Sequence, residues 1–151
     1  MKNFKGFTLI ELLLVMAIMG ILMTTLIVGI NPARQFAKSR DSQRESHVYA
    51  ILTTVLQYSQ EHSGAWPDTD GDPQTSDFPT TLTCIGNDPG CFDLASAGDE
   101  GDTIVPYYLA ELPVDPKTGD QADTGYEIMV NDYGRLVASA SGETKTIGLT
   151  K

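Results

Sequence analysis

The chain has 151 residues, a formal net charge of −10 at pH 7 and two cysteines. This length is enough for one modest domain. The acidic residues are concentrated between residues 61 and 127, where fifteen of them accompany a single basic residue, Lys117. Such a surface repels phosphate groups, so nucleic acid is not the expected partner of this part of the chain. We interpret these acids as a solvated surface.

The 24 residues from 7 to 30 form an apolar run with no basic residue and one acid, Glu11. The run is long enough to cross a bilayer as a helix. A cleaved secretory signal peptide is the alternative, because Lys2 and Lys5 precede the run as a basic leader would. The run is too long for such a peptide and lacks a small-x-small cleavage site. We therefore predict a transmembrane helix over residues 7–30.

Asn31 and Pro32 interrupt this pattern, and proline suits the first turn of a new helix capped by asparagine. Apolar residues then recur at helical spacing, with polar residues, Arg44 among them, mostly opposite. The apolar positions are Val48, Ile51, Leu52, Val55 and Leu56. We predict an amphipathic helix over residues 31–63 that ends near Gly64. With residues 7–30 it forms one very long helix with an apolar half and an amphipathic half.

Residues 64–125 are rich in Asp, Gly, Pro, Ser and Thr without a sustained period, which indicates an irregular connecting region. Cys84 and Cys91 bound an eight-residue loop that contains Gly and Pro. This loop suits a disulfide formed in an oxidising compartment. Two reduced, buried thiols are the alternative, and zinc is disfavoured because His47 and His62 are too distant to complete a four-ligand site.

The last part of the chain, residues 126–151, shows the pattern of an antiparallel β region. Tyr126–Val130 is rich in β-forming residues, a turn follows at residues 131–134, and residues 135–139 form its partner strand. Residues 144–149 are a third candidate strand. The predicted fold class is therefore α+β, with a small antiparallel sheet of about three strands packed on the amphipathic half of the helix.

The sequence KGFTLIE at residues 5–11 resembles the class III signal of type IV prepilins and type II secretion pseudopilins. The resemblance includes the basic leader, Gly6, Phe7, Glu11 and the apolar run that follows. It implies a leader peptide of residues 1–6, cleavage between Gly6 and Phe7 by a membrane prepilin peptidase, and N-methylation of the new Phe7 amine.

Glu11 is the acid within the predicted span, where a carboxylate costs at least a few kcal/mol and normally has a partner. In the family that the signal resembles, this glutamate meets the N-terminal amine of a neighbouring subunit, which implies an assembly role. The alternative is a side chain that snorkels to the membrane surface or stays protonated.

The later sequence is similar to major pseudopilins at residues 64–67, GAWP, and at residues 112–119, LPVDPKTG. Two features depart from the family. Val28 replaces a proline found in many pilins, and residues 139–149 offer only Glu143 as a carboxylate for the calcium loop of major pseudopilins.

The remaining acidic run is the other place considered for a metal such as calcium. Its candidate ligands are Asp68, Asp70 and Asp72. Pro73 and Pro79 break the EF-hand pattern, so a solvated turn is favoured and no cofactor is expected.

These patterns predict a structural subunit of a type IV pilus-like filament, and not an enzyme, because no nucleophile, phosphate or paired-carboxylate motif is present. A major pseudopilin and a membrane-tethered module that never polymerises are the alternatives. The implied partners are identical or homologous subunits, prepilin peptidase, an inner-membrane assembly platform, and membrane lipid before assembly. The implied location is the inner membrane for the precursor, then a surface pilus or a periplasmic pseudopilus.

Overall fold

The computed structural model describes residues 6–71, 75–99 and 101–151. The chain divides into two compact units, Met1–Phe36 and Ala37–Lys151. We call them the N-terminal unit and the head.

The N-terminal unit contains helix α1, Leu9–Ile30, which begins at the N-cap Thr8. None of its side chains is buried, and its mean hydropathy is 2.6. Within the described residues it is the one helix that is long and apolar enough to cross a membrane. Helix α1 ends at Asn31, whose backbone is left-handed with φ of 47°. Asparagine tolerates this conformation better than most residues, which explains the break at this position.

Helix α2, Pro32–Glu61, begins directly after this break. Proline lacks an N–H group, and the first turn of a helix leaves that group unpaired in any case, so Pro32 is well placed. The helix ends where Ser63 and Gly64 adopt positive φ, and the Gly64 amide donates to the Ser59 carbonyl at 2.7 Å. This is the left-handed termination that glycine favours after a helix.

The head packs one stripe of α2 against an antiparallel sheet. Its strands are β1, Thr83–Cys84, β2, Tyr126–Val130, β3, Leu136–Ala140, and β4, Ile147–Thr150, and they lie in the order β1-β2-β3-β4. The buried stripe of α2 consists of Val48, Ile51, Leu52, Val55 and Tyr58, and the strands contribute Tyr126, Ile128, Leu136, Ala138, Ala140 and Ile147 to the same core. The predicted α+β fold with a small antiparallel sheet is confirmed.

The structure adds one strand to the about three that the sequence predicts. Strand β1 has two residues, and it pairs Thr83 with Ile128 and Cys84 with Glu127. An alternating pattern needs at least four residues to be recognised, and a strand of two residues therefore leaves no periodic signal.

The connecting region between α2 and β2 is irregular but supplies much of the core. Its buried apolar residues are Phe78, Ile85, Phe92, Leu94, Ala97 and Ile104. A short π-type turn covers Ile104–Tyr108, with extended backbone at Val105. The region is therefore a packed layer of the head, which its Asp, Gly and Pro content does not indicate.

Candidate functional site

The predicted processing and assembly residues lie at the start of α1. Gly6 and Phe7 precede the helix in no regular structure, and the Phe7 side chain is 84% exposed. Thr8 and Glu11 form a capping box, in which the Glu11 amide donates to Thr8 Oγ1 at 3.3 Å and the Thr8 amide donates to the Glu11 carboxylate at 3.4 Å. This pairing satisfies amides that the first turn of a helix leaves free.

The capping box also places a negative charge where the helix dipole is positive. Glu11 is thus held at the first turn of α1, four residues after Phe7. The peptide bond between Gly6 and Phe7 lies outside the helix, and both residues are exposed.

A charged cluster in the head centres on Arg44, whose side chain is 3% exposed. Its guanidinium donates to Asp115 through Nε at 2.5 Å and through Nη2 at 3.1 Å. Nη1 donates to Asp41 at 2.8 Å and to Glu143 at 3.3 Å. The sequence placed Arg44 on the polar face of the helix, and that prediction is wrong because Asp115 and Glu143, from distant parts of the chain, pair with it in the folded head.

The carboxylates of this cluster also bind backbone amides. Asp41 accepts from the amides of Glu143 and Thr144 at 2.8 and 2.7 Å, and Asp115 accepts from Lys117 and Thr118 at 2.9 and 3.0 Å. The cluster therefore fastens the β3–β4 loop and the segment after Asp115 to α2.

The donors in this cluster lower the pKa of each carboxyl group. The pKa values of Asp41 and Asp115 both lie well below the usual range. The largest cause is the hydrogen bond from the Thr144 hydroxyl for Asp41 and the hydrogen bond from Arg44 for Asp115. Glu143 has its pKa lowered to about 2, chiefly by its hydrogen bond from Arg40 and then by Lys117. All three groups are therefore ionised at neutral pH.

Glu143, the only carboxylate of residues 139–149, is occupied by cations of the chain itself. Its carboxylate contacts Arg40, Arg44 and Lys117 at 2.5, 3.3 and 3.1 Å. Two guanidinium groups and an ammonium group thus hold this loop.

The acidic run after α2 is partly described. Asp68 is buried, its Oδ1 accepts from the Gly71 amide at 3.3 Å, and burial raises its pKa. Asp70 accepts from the Thr75 hydroxyl at 3.0 Å, and Asp72 lies outside the described residues. Among the described residues no three His, Cys, Asp or Glu side chains are grouped so that they could hold a metal. The prediction of a solvated turn, with calcium at Asp68, Asp70 and Asp72 as the alternative, stays a prediction.

Cys84 and Cys91 are joined by a disulfide, as one of the sequence alternatives proposed. The loop they close lies against residues 121–122, where the Asn87 amide donates to the Gln121 carbonyl at 3.1 Å. Gly86 is required there, because a Cβ atom at this position would lie 2.1 Å from the Ala122 carbonyl oxygen. The disulfide loop is therefore a fixed part of the head surface.

A cleft of about 850 Å³ opens on the side of the head formed by α2 and the connecting region. Its apolar lining residues are Ala50, Ala95, Val105, Leu109, Leu112, Pro113 and Val114, and its acidic lining residues are Asp93, Glu111 and Asp120. His47 also lines it, with Nδ1 2.8 Å from the Tyr126 hydroxyl. The lining residues are spread from 47 to 124, so no local motif could have revealed the cleft.

Residues 1–27 match the family model described as the prokaryotic N-terminal methylation motif. The chain carries an N-terminal methylation motif. This is the class III signal of type IV pilins and pseudopilins, so the resemblance found at residues 5–11 is confirmed. No curated protein and no solved structure matches the chain.

The methylation motif covers Gly6, Phe7 and Glu11 and most of α1. Proteins with this motif are structural rather than catalytic, and the motif supports a pilin-like or pseudopilin precursor that is inserted in the membrane. In general such precursors are processed by prepilin peptidase and assemble with homologous subunits.

Proposed function

We propose that the chain is a structural subunit of a type IV pilus-like filament, cleaved after Gly6, methylated at Phe7 and assembled through α1. The observation that carries the proposal is helix α1 itself. It bears the methylation motif, and it leaves all of its apolar side chains exposed over 22 residues.

Such a helix cannot stay in water, because an exposed apolar patch of this size marks a surface that binds a membrane or another protein. A helix of 22 residues is about 33 Å long, which matches the apolar thickness of a bilayer of about 30 Å. In the membrane, lipid covers α1. In a filament, the same surface is covered by α1 helices of neighbouring subunits.

Glu11 provides a specific contact between the α1 helices of neighbouring subunits. Among the described residues, only Thr8 donates hydrogen bonds to the Glu11 carboxylate, from its backbone amide at 3.4 Å and from its hydroxyl at 3.5 Å. Cleavage after Gly6 creates a cationic amine on Phe7. When that amine belongs to a neighbouring subunit, it pairs with the carboxylate and offsets the cost of burying both charges in the filament core.

Replacement of Glu11 by leucine tests the proposal. The Glu11→Leu chain should insert and accumulate as wild type does, because leucine favours insertion. Its filaments should fall to a tenth or less of the wild-type amount, because a buried amine left without its partner costs about 3–5 kcal/mol. Electron microscopy and immunoblots of sheared filaments, from cells that make no other copy, measure the yield.

Thr24→Leu is the matched control. It replaces another polar residue of α1, whose hydroxyl donates only to the Gly20 carbonyl at 2.8 Å, and it should leave the filament yield unchanged. Wild-type yield from Glu11→Leu would reject the assembly role and favour a tethered module that does not polymerise.

A major pseudopilin is the second candidate, favoured by the resemblance at residues 112–119. Within that segment Asp115 binds Arg44 of α2, so the segment has a structural role in the head. The disulfide between Cys84 and Cys91 favours a pilus instead. Mass spectrometry of filaments sheared from the cell surface separates the two, since a periplasmic pseudopilus would not be released by shearing.

A further inference from the structure

The head carries a large negative charge that filament packing must accommodate. Residues 37–151 contain seven Lys and Arg against nineteen Asp and Glu, a net charge of −12. Heads of like charge repel one another when they are brought together. If the chain polymerises as proposed above, exposed cations at the contacts between heads would offset this repulsion.

Most cations of the head already have partners within it. Arg40, Arg44 and Lys117 pair with Glu143, and Lys145 pairs with Glu45 at 3.1 Å. The Lys151 ammonium lies 4.1 Å from the centre of the Tyr49 ring.

Lys38 and Arg135 are the head cations that make neither an ion pair nor a cation–π contact with any residue in the described ranges. Lys38 is exposed on α2.

The cleft has the complementary chemistry. Its walls are half-buried apolar side chains, and Asp93, Glu111 and Asp120 lie among its lining residues. None of these three carboxylates forms an ion pair within the described part of the chain, although Asp93 accepts from Ser96 and Asp120 accepts from backbone amides. Lysine and arginine side chains combine an apolar stem with a charged end, so they suit apolar walls with carboxylates beside them.

Helix geometry shows that Lys38 cannot enter the cleft of its own chain. Lys38 and His47, which lines the cleft, are nine positions apart in α2. At about 100° per residue they lie on opposite sides of the helix. Any contact between Lys38 and the cleft therefore joins two copies, and a contact between two different surfaces repeats into a ring or an open filament rather than a closed dimer.

We infer that Lys38 of one subunit docks in the cleft of a neighbouring subunit, with its stem on the apolar walls and its charge beside Asp93, Glu111 and Asp120. The contact rests on the proposed function and adds a second interface to the one that α1 makes. Glu111 is the acid to test, because its exposed carboxylate makes no hydrogen bond to another described residue.

Charge reversal of both surfaces tests the contact. Lys38→Glu and Glu111→Lys should each lower the yield of sheared filaments at least about tenfold, because like charges then face each other across the interface. The chain with both changes should recover to within about twofold of wild type, because every interface regains an opposite pair. Immunoblots of membrane fractions should show equal amounts of all subunits.

Arg135→Glu is the matched control, because it also reverses an exposed cation without an ion pair but lies in the turn between β2 and β3. It should leave the yield unchanged. Equal losses from Arg135→Glu and Lys38→Glu would mean that net charge alone matters, and this would overturn the inference. So would a double variant that recovers nothing.

Cross-linking tests the position of the contact. Copies with Lys38→Cys and copies with Glu111→Cys, expressed together, should give a cross-linked pair in filaments treated with a short bifunctional maleimide. If the cysteine-bearing copies form filaments without this cross-link, and the charge variants give the wild-type filament yield, the docking contact is rejected and the proposed function stands. If the wild-type chain forms no filaments, both proposals are rejected.

Discussion

Replacement of Arg44 by methionine tests whether the buried charged cluster holds the head together. Methionine is similar in length and apolar, so it preserves much of the packing of the stem and removes the charge. Asp115 then loses both of its bonds to the guanidinium, at 2.5 and 3.1 Å, and Asp41 loses one at 2.8 Å. Two buried carboxylates are left without their cation.

Removal of one partner from a buried ion pair costs about 3–5 kcal/mol. The backbone amides of Thr144 and Thr118 still donate to the two carboxylates, so we expect the lower end, about 3 kcal/mol. With a urea m-value of roughly 1.5 kcal/mol/M, the unfolding midpoint of the full chain in detergent should fall by about 2 M. The fluorescence of Trp66, which packs on the core, reports this transition.

Arg40→Met is the control for this change. Arg40 pairs with the same Glu143, but its side chain is 31% exposed, and exposed ion pairs contribute little to stability. Its midpoint should stay close to wild type. If Arg44→Met moved the midpoint no further than Arg40→Met does, the structural role given to the buried cluster would be wrong.

The cluster also predicts how the stability of the head depends on pH. The pKa of Glu143 is lowered to about 2 in the folded chain, from an unfolded value of about 4.3. A carboxyl group whose folded pKa is lowered stabilises the fold above its unfolded pKa and loses that contribution as pH falls toward the folded one. The urea midpoint should therefore decrease as the pH is lowered from about 4.5 to about 2. A midpoint that increases as the pH is lowered over this interval would contradict the lowered pKa values.

Two further predictions concern export. Gly6→Val should block removal of residues 1–6, seen by mass spectrometry, because a peptidase needs an open, extended backbone there. A Cβ at Gly6 meets no atom of the described residues, so a loss of cleavage would not report a clash in the fold, and normal maturation would refute the cleavage site. The intact mass of the exported chain should be two hydrogens lower than the thiol form, and the double change Cys84→Ser with Cys91→Ser should lower the free energy of unfolding by about 2.5 kcal/mol. Complete alkylation of unreduced, denatured filaments would contradict the disulfide.

The elements with local signals could be predicted from the sequence. The apolar run, Asn31 and Pro32 indicate two helices, and the structure has Leu9–Ile30 and Pro32–Glu61 close to the predicted spans of residues 7–30 and 31–63. The three strands after residue 126 are marked by β-forming residues on both sides of short turns. Each of these signals lies within a few neighbouring residues.

The parts that depend on distant residues could not be predicted in this way. Arg44 has the sequence environment of an exposed helical cation, and its burial depends on Asp115 and Glu143, which are 71 and 99 residues away. The core residues of the connecting region, such as Ile85 and Ile104, stand in stretches that resemble solvated loops. The cleft combines residues from α2 with the same connecting region, so it exists only after folding.

The head exposes charged groups, whereas the N-terminal unit exposes the apolar side chains of α1. The two proposed interfaces should therefore respond differently to salt. The head pairs the buried charges of Asp41, Arg44 and Asp115 and closes its own core, so its contacts with neighbours are made by exposed groups such as Lys38 and Glu111. Salt weakens interactions between exposed charges, and the distance beyond which they are largely screened is about 10 Å at 0.1 M and about 3 Å at 1 M. Burial of α1 is driven by its apolar surface, which salt does not screen. Filaments should therefore survive high salt through α1 with looser contacts between heads, and Glu11→Leu should lower their yield to a tenth or less at any salt concentration.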